Sequence, residues 1–407
     1  MIKKKVFLLA DIGKNKKGFY HVGDEAMFLS NLENYRKNGI EVFASSRSIC
    51  HPELKGHEVL DIYILNLLQF TGLLLSAILF RLTNINFFPL FFRKTIECLI
   101  SCDTLHISGG GNITDLWPGH IYYRSLMIII AKLYGKRIIL TSQSLGPINK
   151  IRHKIILHFV LNNVDYIGLR DNSFSRKTAD MLKIDKNRIH FNYDDALFWL
   201  TKQKILSRSK KIVNVGISLH DPKNNDITKE IINFLREITK RHKEIKIHFI
   251  PHMLDSDDNY DVEYAKKIVS YLNGKNIRIF DSKHLNAKKT LAEQIRQITG
   301  KMDFVIASRY HGLVFAISSQ IPFLAINFDN DYYKGKNTGL IKVFTKKYSD
   351  FAIDFKHIKS DYILSKFNEI YKNRVKIQHQ LNNFIKKADE ENNETKNSIY
   401  RLEWDSF

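Results

Sequence analysis

The chain alternates short apolar runs with longer segments of helical periodicity, and this alternation restricts the folds open to it. In the first half, runs of the length of a buried strand fall at residues 5–10, 41–44, 104–108, 137–141, 166–169 and 188–191. Segments of helical period lie at residues 24–37, 121–134, 153–162 and 173–182. Strands that alternate with helices form a parallel sheet covered by helices. The first half of the chain is therefore predicted to be an α/β domain.

A second α/β pattern follows a basic, polar connection at residues 201–211. Its predicted strands are residues 212–218, 245–251, 277–280, 304–307 and 322–326. A chain of 407 residues exceeds what one core usually holds, and about 150 residues per domain suggests two. We expect two Rossmann-like domains, residues 1–205 and 211–350, followed by a polar helical segment at residues 351–407.

The charge of the chain favours anionic partners without choosing among them. Lys and Arg number 63 against 42 Asp and Glu, a formal net charge of +21. Such a field attracts nucleic acid, an anionic membrane surface or a phosphorylated small substrate. The positive charge can also reflect a general lysine-rich composition of the surface. No nucleic-acid motif is recognisable, so nucleic acid is not an expected partner.

The cysteines indicate neither a disulfide framework nor a zinc site. The chain has three, Cys50, Cys98 and Cys102, and the last two lack a second pair that could complete a zinc site. Reduced thiols, no metal site and no cofactor are expected, and activity should survive a chelator.

The apolar segment at residues 62–94 is predicted to be an insertion in the first domain. Residues 62–80 contain no charge and reach the length of a membrane span. Four polar residues dilute them, which favours a buried or interfacial helix: Asn66, Gln69, Thr71 and Ser76. An aromatic stretch then ends in Arg93 and Lys94, so the segment could rest on a membrane. The N-terminal apolar run at residues 6–10 is too short for a signal peptide, so a cytoplasmic location is expected. The apolar segment could bring the protein to the inner face of the membrane.

Candidate site residues are those that directly follow strands, because open α/β sheets bind ligands beyond the carboxyl ends of their strands. After the first strand come His21 and Asp24. Asp24 is placed to cap a helix that begins at Glu25, and both side chains are candidates for contact with substrate hydroxyls.

A run of three glycines follows the strand at residues 104–108. Gly109, Gly110 and Gly111 precede Asn112 and Asp115. Glycines in such a loop expose peptide N–H donors to an anion, so ligand contact is predicted. The run matches neither the spaced dinucleotide pattern nor a P-loop, which weakens the case for a nicotinamide or nucleoside triphosphate.

Two further polar residues follow neighbouring predicted strands. Gln143 lies just after the strand at residues 137–141, and Arg170 directly follows the strand at residues 166–169. Both are predicted to reach the ligand cleft.

The second domain contains the most informative site. The strand at residues 304–307 leads into Ser308, Arg309, Tyr310 and His311, and then into an apolar helix. A fixed cation and an imidazole in the first turn of a helix suit an anionic ligand, since the helix N-terminus already favours negative charge. The alternative is that Arg309 pairs with a nearby carboxylate.

These segments resemble the polysaccharide pyruvyl transferase family. The matching pieces, in order, are residues 22–26, 108–111 with Asp115, 143–147, 170–171, 195–196, and 308–311 with Ala316. The chain departs from the family pattern at Ser142 and Ser144, where glycine is common, and at Asp195, which alanine follows directly. The resemblance implies two Rossmann-like domains in a GT-B-like arrangement, with an acceptor side in the first and a donor side in the second. It also implies a phosphoenolpyruvate donor held by Arg309, His311 and Arg170.

The resemblance implies transfer of the enolpyruvyl group to two hydroxyls of a sugar, in a surface polysaccharide or its lipid-linked precursor. Arg309 and Arg170 would bind the carboxylate and phosphate, and His311 would protonate the methylene carbon. Two alternatives remain open: a GT-B glycosyltransferase that uses a nucleotide sugar, and a non-catalytic protein that binds polyanions or a membrane surface.

Overall fold

The computed structural model describes most of the chain, in ranges separated by short gaps. The described residues are 4–13, 21–46, 53–54, 58–60, 65–200, 213–253, 260–272, 276–280, 286, 289–329 and 332–401. The predicted connection at residues 201–211, Cys50 and residues 62–64 of the apolar segment lie outside them.

The first half of the chain forms a parallel β-sheet whose central strands are buried. In chain order the strands are β1 (Lys5–Leu9), β2 (Glu41–Ser46), β3 (Glu58–Leu60), β4 (Thr104–Ile107), β5 (Gly110–Ile113), β6 (Arg137–Leu145), β7 (Tyr166–Leu169) and β8 (Ile189–Phe191). Their order in the sheet is β3-β2-β1-β4-β6-β7-β8, and β5 pairs with the end of β6. Strands buried on both faces read as continuous apolar runs, which is why the runs in the sequence predicted them.

Helices cover this sheet. They are α1 (Val22–Lys37), α2 (Leu67–Thr83), α3 (Leu90–Ser101), α4 (Pro118–Leu133), α5 (Ile151–Leu161) and α6 (Phe174–Met181). Helix α4 is the most enclosed of them, because it packs against the sheet and contacts both α2 and α5. The apolar segment thus forms two helices: α2 packs on α4, and α3 contacts β1 and β3 of the first sheet, in agreement with the predicted buried or interfacial helix.

The second half forms another parallel sheet, of order β11-β10-β9-β12-β13-β14. Its strands are β9 (Val213–Ser218), β10 (Ile245–Phe249), β11 (Ile277–Ile279), β12 (Phe304–Ala307), β13 (Phe323–Ile326) and β14 (Ala352–Ile353). Its helices are α7 (Asn225–Arg241), α8 (Tyr260–Ser270), α9 (Leu291–Thr299), α10 (Tyr310–Ser318), α11 (Tyr332–Phe344), α12 (Ser360–Lys372) and α13 (Arg374–Arg401). The α/β class with two parallel sheets, predicted from the alternation, is confirmed.

The chain divides into two compact units whose bounds differ from the predicted domains. The first comprises Met1–Asn15, Met27–Asp195 and Asn392–Phe407, and the second Lys16–Ala26 and Ala196–Glu391. The first turn of α1 therefore belongs to the second unit, and the last residues of the chain to the first. Strand alternation could not reveal either exchange, because both occur within helices.

Among the described residues, no helix combines the length and apolar character needed to cross a bilayer. Helix α2 begins at a capping box, in which Asn66 Oδ1 accepts from the Gln69 N–H (2.8 Å) and Gln69 Oε1 from the Asn66 N–H (3.0 Å). Two of the polar residues that dilute the apolar segment therefore mark the start of the helix.

Candidate active site

The carboxyl ends of three adjacent strands of the second sheet bring polar residues together. Strand β9 lies between β10 and β12, and parallel neighbours end at the same edge. Ser218 ends β9, and its Oγ lies 2.7 Å from Nδ1 of His252, which follows β10. The N–H of Ser308, just after β12, donates to the Ser218 carbonyl at 2.9 Å. The sheet itself therefore assembles the site.

Arg309 is the N-terminal cap residue of α10 and is held by a buried carboxylate. Its Nε donates to Asp261 Oδ2 at 3.1 Å, and its Nη2 donates to the other carboxylate oxygen. Asp261, in the first turn of α8, also accepts from the backbone N–H groups of His252 (3.0 Å) and Met253 (3.1 Å). Burial alone would raise the pKa of Asp261, but Arg309 and these bonds hold it below its usual value.

The pairing of Arg309 with a carboxylate, which the sequence left as an alternative, is thus present. It uses only two of the three guanidinium nitrogens. The third nitrogen, Nη1, makes no hydrogen bond to any described residue. The Arg309 side chain is 14% exposed, whereas that of Asp261 is 1% exposed. A side chain oriented through two nitrogens can present the third to a ligand without rearrangement.

His311 lies in the first turn of α10, directly against the backbone of Gly23 in the first turn of α1. A Cβ atom at residue 23 would fall 1.7 Å from His311 Nδ1. Tyr310 packs edge-on against the imidazole at 5.2 Å between ring centroids. Glycine at position 23 is therefore needed for close approach of an imidazole, and the first turns of two helices meet at this ring.

The segment that carries His21 and Asp24 is built into the second unit. The Val22 N–H donates to the His252 carbonyl (3.3 Å), and His21 pairs with Met253 as an isolated antiparallel bridge. The Glu25 carboxylate accepts from the Ala292 N–H at the start of α9, at 2.7 Å.

The prediction that Asp24 caps a helix beginning at Glu25 is wrong. The helix already begins at Val22, and the Glu25 N–H donates to the His21 carbonyl at 3.1 Å. Asp24 lies within the first turn instead. Gly23 lies at the start of the helix and packs against His311.

His220 and Lys336 complete the edge. His220 Nδ1 lies 2.8 Å from Ser308 Oγ, and its ring stacks on Tyr333 at 4.5 Å. Lys336, on α11, lies over the ring of Tyr310 at 5.3 Å from Nζ to the centroid. Two cationic side chains and several neutral rings therefore line one edge of the second sheet.

Burial keeps two of the histidines neutral. Burial, assisted by the charge of Arg309, lowers the pKa of His220 to about 3, and burial lowers the pKa of His252 to about 4. Since Asp261 balances the charge of Arg309, the remaining attraction for an anion comes from Lys336 and the two helix N-termini.

Arg170 has a different environment from Arg309. It lies in the first unit, where Nη1 forms an ion pair with Asp194 at 2.7 Å and Nε donates to Ser144 Oγ at 2.8 Å. Both charged side chains are 1% exposed. The prediction that Arg170 reaches an open cleft is not what the structure shows: an anion could contact it only by displacing Asp194.

The glycine run is also built into the interior of the first unit. Gly110 and Gly111 belong to strand β5 rather than to a loop, and all three glycines are buried. A Cβ at Gly109 would lie 2.7 Å from both Met27 Sδ and Ser142 Cβ. The predicted anion-binding loop is therefore corrected: close packing, and pairing of β5 with β6, account for glycine here.

The remaining predicted residues of the first unit have structural partners. Asn112 Nδ2 donates to Asp11 at 3.2 Å, and Gln143 Nε2 donates to the Ser108 and Thr141 carbonyls at 3.0 and 2.8 Å. Strand β6 continues through Gln143, so the predicted loop at that position is strand.

Asp115 accepts from the N–H groups of Asn149 (2.5 Å) and Lys150 (2.8 Å), which precede α5. Its pKa would be raised by burial, but these bonds and one from His153 lower it. The geometry is that of a carboxylate that anchors the residues leading into α5 rather than that of an open ligand site.

Five residues of the site were missed in the sequence: Ser218, His220, His252, Asp261 and Lys336. His252 directly follows a predicted strand and His220 lies two residues beyond one, so the rule that singled out Ser308 could also have found them. Asp261 and Lys336 lie in helices, and no local signal distinguishes them. No group of three or more His, Cys, Asp or Glu side chains in the described ranges is arranged to hold a metal ion.

Solved structures with this fold come from several sugar-handling proteins. UDP-GlcNAc 2-epimerase from Methanocaldococcus jannaschii is 11% identical, with a TM-score of 0.57 over 91% of this chain and 94% of that one. A glycosyltransferase from Rickettsia africae is 11% identical, with a TM-score of 0.58 over 98% and 99%. Anabaena HepE, solved in complex with UDP-glucose, is also 11% identical, with a TM-score of 0.58 over 97% and 99%. Identities this low establish the GT-B-like fold alone.

Sequence comparison is more specific. No protein of curated function shows significant similarity to the chain. The profile of the family described as polysaccharide pyruvyl transferase matches residues 21–330, which contain the edge built from Ser218, His252 and residues 308–311. The chain belongs to the polysaccharide pyruvyl transferase family.

Proposed function

We propose that the protein transfers the enolpyruvyl group of phosphoenolpyruvate to two hydroxyls of a saccharide, forming a pyruvate ketal and releasing phosphate. The observation that carries the proposal is the pairing of Arg309 and His311 at the start of α10, at the carboxyl edge of the second sheet. Family membership supports the reaction class and a polysaccharide acceptor.

The anionic groups of phosphoenolpyruvate match the side chains at the carboxyl edge of the second sheet. Phosphoenolpyruvate carries a carboxylate and a phosphate on three carbons, and both groups need cationic or N–H donors. Arg309, oriented by Asp261, offers Nη1, Lys336 offers a second charge, and the first turns of α10 and α1 offer helix N-termini. No additional cofactor enters the proposed reaction.

His311 is the proposed general acid. As an imidazolium it donates its proton to the methylene carbon, which becomes a methyl group, and positive charge develops at C2. One sugar hydroxyl attacks C2 and gives its proton to the His311 imidazole, which restores the imidazolium. A second hydroxyl then attacks C2 as the bond between C2 and the phosphate oxygen breaks, and its proton leaves with inorganic phosphate. One donor and one diol thus yield one ketal and one phosphate, and acid catalysis of the first step is typically worth ~10²–10⁴ in rate.

The first experiment measures which donor binds. Titration calorimetry with phosphoenolpyruvate and, separately, with UDP and UDP-glucose distinguishes the proposal from a nucleotide-sugar transferase, which is the alternative suggested by the shared fold. Binding of phosphoenolpyruvate is expected. Binding of UDP or UDP-glucose in its place would overturn the proposal.

The second experiment tests His311 in turnover. Release of phosphate from phosphoenolpyruvate is followed with a panel of saccharide acceptors, and the ketal is identified by mass spectrometry. We expect His311→Gln to lower kcat by ~10²-fold or more with little change in donor affinity. The matched control is His357→Gln at an exposed histidine. Equal turnover in the two variants would remove His311 from the chemistry.

A further inference from the structure

Helix α2 is apolar on two opposite faces, and only one of them is covered. Phe70, Leu73 and Ala77 are buried against the first unit. On the outer face, Leu68, Leu75 and Leu82 recur every seven residues and are 81%, 58% and 76% exposed. A helix that is apolar all round is normally buried all round. The outer face of α2 therefore requires an explanation.

The exposed apolar surface continues from α2 through the connecting residues into α3. Half of the large apolar side chains exposed in the described ranges lie between residues 67 and 91: Leu67, Leu68, Leu75, Ile78, Leu82, Ile85, Phe87, Leu90 and Phe91. Single exposed apolar residues are ordinary, but a contiguous group marks an interaction surface.

Helix α5 presents a second apolar stripe on the same side of the sheet. Ile151, Ile155 and Phe159, four residues apart, are 63–71% exposed. Tyr122 of α4 connects this helix to α2, because its ring lies 5.6 Å from that of Phe70 while its hydroxyl lies 3.1 Å from His153 Nε2. The exposed stripes of α2, α3 and α5 together are called the basic apolar face.

The charges around this face are almost all positive. Lys94 lies in α3, while Lys150, Arg152 and Lys154 lie at the start of α5. Between residues 65 and 101 the only acidic residue is Glu97, and between residues 148 and 164 there is none. The face therefore combines exposed apolar side chains with an excess of cations, and the carboxylate of Asp115 lies beside the start of α5, where it accepts from the Lys150 N–H.

We propose that the basic apolar face binds the surface of an anionic phospholipid bilayer. Apolar side chains enter the boundary between headgroups and acyl chains, and the cations contact lipid phosphates. Because the inner face of α2 is packed within the first unit, the helix lies on the bilayer surface. The binding is independent of the proposed reaction, since none of these residues belongs to the candidate active site.

Charge complementarity favours lipid over a second copy of the chain. In a symmetric dimer the same patch meets itself, so the cations of one face would oppose identical cations, with Glu97 and the largely buried Asp115 as the nearby carboxylates. An anionic bilayer offers opposite charge across the whole face.

The test is flotation of the full chain with vesicles of phosphatidylcholine alone or of an equimolar mixture with phosphatidylglycerol. Binding to the mixed vesicles and little binding to phosphatidylcholine are expected. The apolar variant is Leu68→Ser with Leu75→Ser and Leu82→Ser. Its control is Tyr271→Ser with Tyr362→Ser, which removes exposed apolar groups from the second unit.

The charge variant is Lys94→Gln with Arg152→Gln and Lys154→Gln. Its matched control, Lys229→Gln with Lys266→Gln and Lys387→Gln, removes the same net charge from exposed lysines of the second unit. Since each cation near an anionic surface contributes roughly fivefold, the charge variant is expected to weaken partitioning by about 100-fold. The apolar variant should also lose binding, while both controls stay close to the parent chain.

Three results would overturn the proposal. One is failure of the parent chain to float with anionic vesicles. Another is equal loss in the charge variant and its control, which would assign binding to net charge alone. The third is a lipid-independent dimer, measured by light scattering, that the apolar variant dissociates, because the occupant would then be a second copy. Phosphate release from phosphoenolpyruvate in lipid-free solution reports on the proposed reaction separately.

Discussion

The imidazole of His311 occupies the space where a side chain at residue 23 would lie. Residue 23 belongs to a segment that the sequence associates with the first domain, yet its role is steric and is directed at the site in the second unit. A backbone without a Cβ can approach a ring at a distance that no other residue allows. Gly23 is therefore a positioning residue for His311.

Gly23→Ala is expected to displace the His311 ring and to lower kcat by about 100-fold or more, since general acid geometry is lost. Donor affinity should change much less, because Arg309 and Lys336 are untouched. Phosphate release and phosphoenolpyruvate titration provide the two readouts. Gly72→Ala, at an exposed glycine of α2 with no neighbouring atom within 4 Å of the added Cβ, is the control. A Gly23→Ala enzyme with normal kcat would show that the ring is free to move.

Arg309 and Arg170 show how two arginines after parallel strands can differ in accessibility. Each pairs with an aspartate, but Arg170 and Asp194 are enclosed together, whereas Arg309 retains an exposed fraction and one nitrogen without a described partner. Breaking a fully buried pair is strongly destabilising, so an anion cannot displace Asp194 from Arg170 at low cost. Arg309 and Arg170 can be distinguished only by the partners of their guanidinium groups, and those partners are distant in sequence.

At the scale of elements, the turn that carries Asp115 stabilises the start of α5. Two backbone N–H groups just before the helix donate to its carboxylate, and helix N-termini leave such donors without partners inside the helix. The same residue was predicted to contact substrate, because polar residues after strands are candidates for either role.

Asp115→Ala is expected to lower the free energy of unfolding by about 1–3 kcal/mol, because the donors bonded to its carboxylate lose their partner. Phosphoenolpyruvate affinity and kcat should remain unchanged. Urea unfolding followed by circular dichroism measures the first quantity. Asp226→Ala, at an exposed carboxylate in the first turn of α7, should change stability much less. Loss of substrate binding with normal stability would instead restore the predicted role in substrate contact.

At the scale of the whole molecule, buried histidines make the fold sensitive to acid. Burial lowers the pKa of His106 to about 3; burial, together with Arg309, lowers that of His220 to about 3, and burial lowers that of His252 to about 4. In the unfolded chain these groups titrate near their ordinary value of about 6.5. Below that pH the unfolded state binds protons that the folded state excludes. Stability contributed by the neutral imidazoles is thus complete above pH 6.5 and falls as the pH drops towards 4.

The expected slope between pH 6.5 and 4 is up to ~1.4 kcal/mol per pH unit for each buried histidine. Asp195 acts in the opposite sense, because burial raises its pKa, whereas burial also lowers the pKa values of His190 and His248, which adds to the loss. Thermal unfolding measured across this range should show a steady loss. The exposed His357→Gln variant should follow the same curve as the parent chain. A flat profile from pH 7 to 4.5 would contradict the neutral state of these histidines.

The sequence by itself determined the α/β class, the positions of most strands and the pairing of Arg309 with His311 on one helix turn. These features depend on local periodicity and on residues adjacent in the chain. Tertiary structure alone decided that Asp261 orients Arg309, that Gly23 makes room for His311, and that Arg170 and the glycines at 109–111 are interior. Each of these depends on a contact between residues far apart in sequence, and a side chain after a strand has the same local pattern whether it faces a ligand or a buried partner.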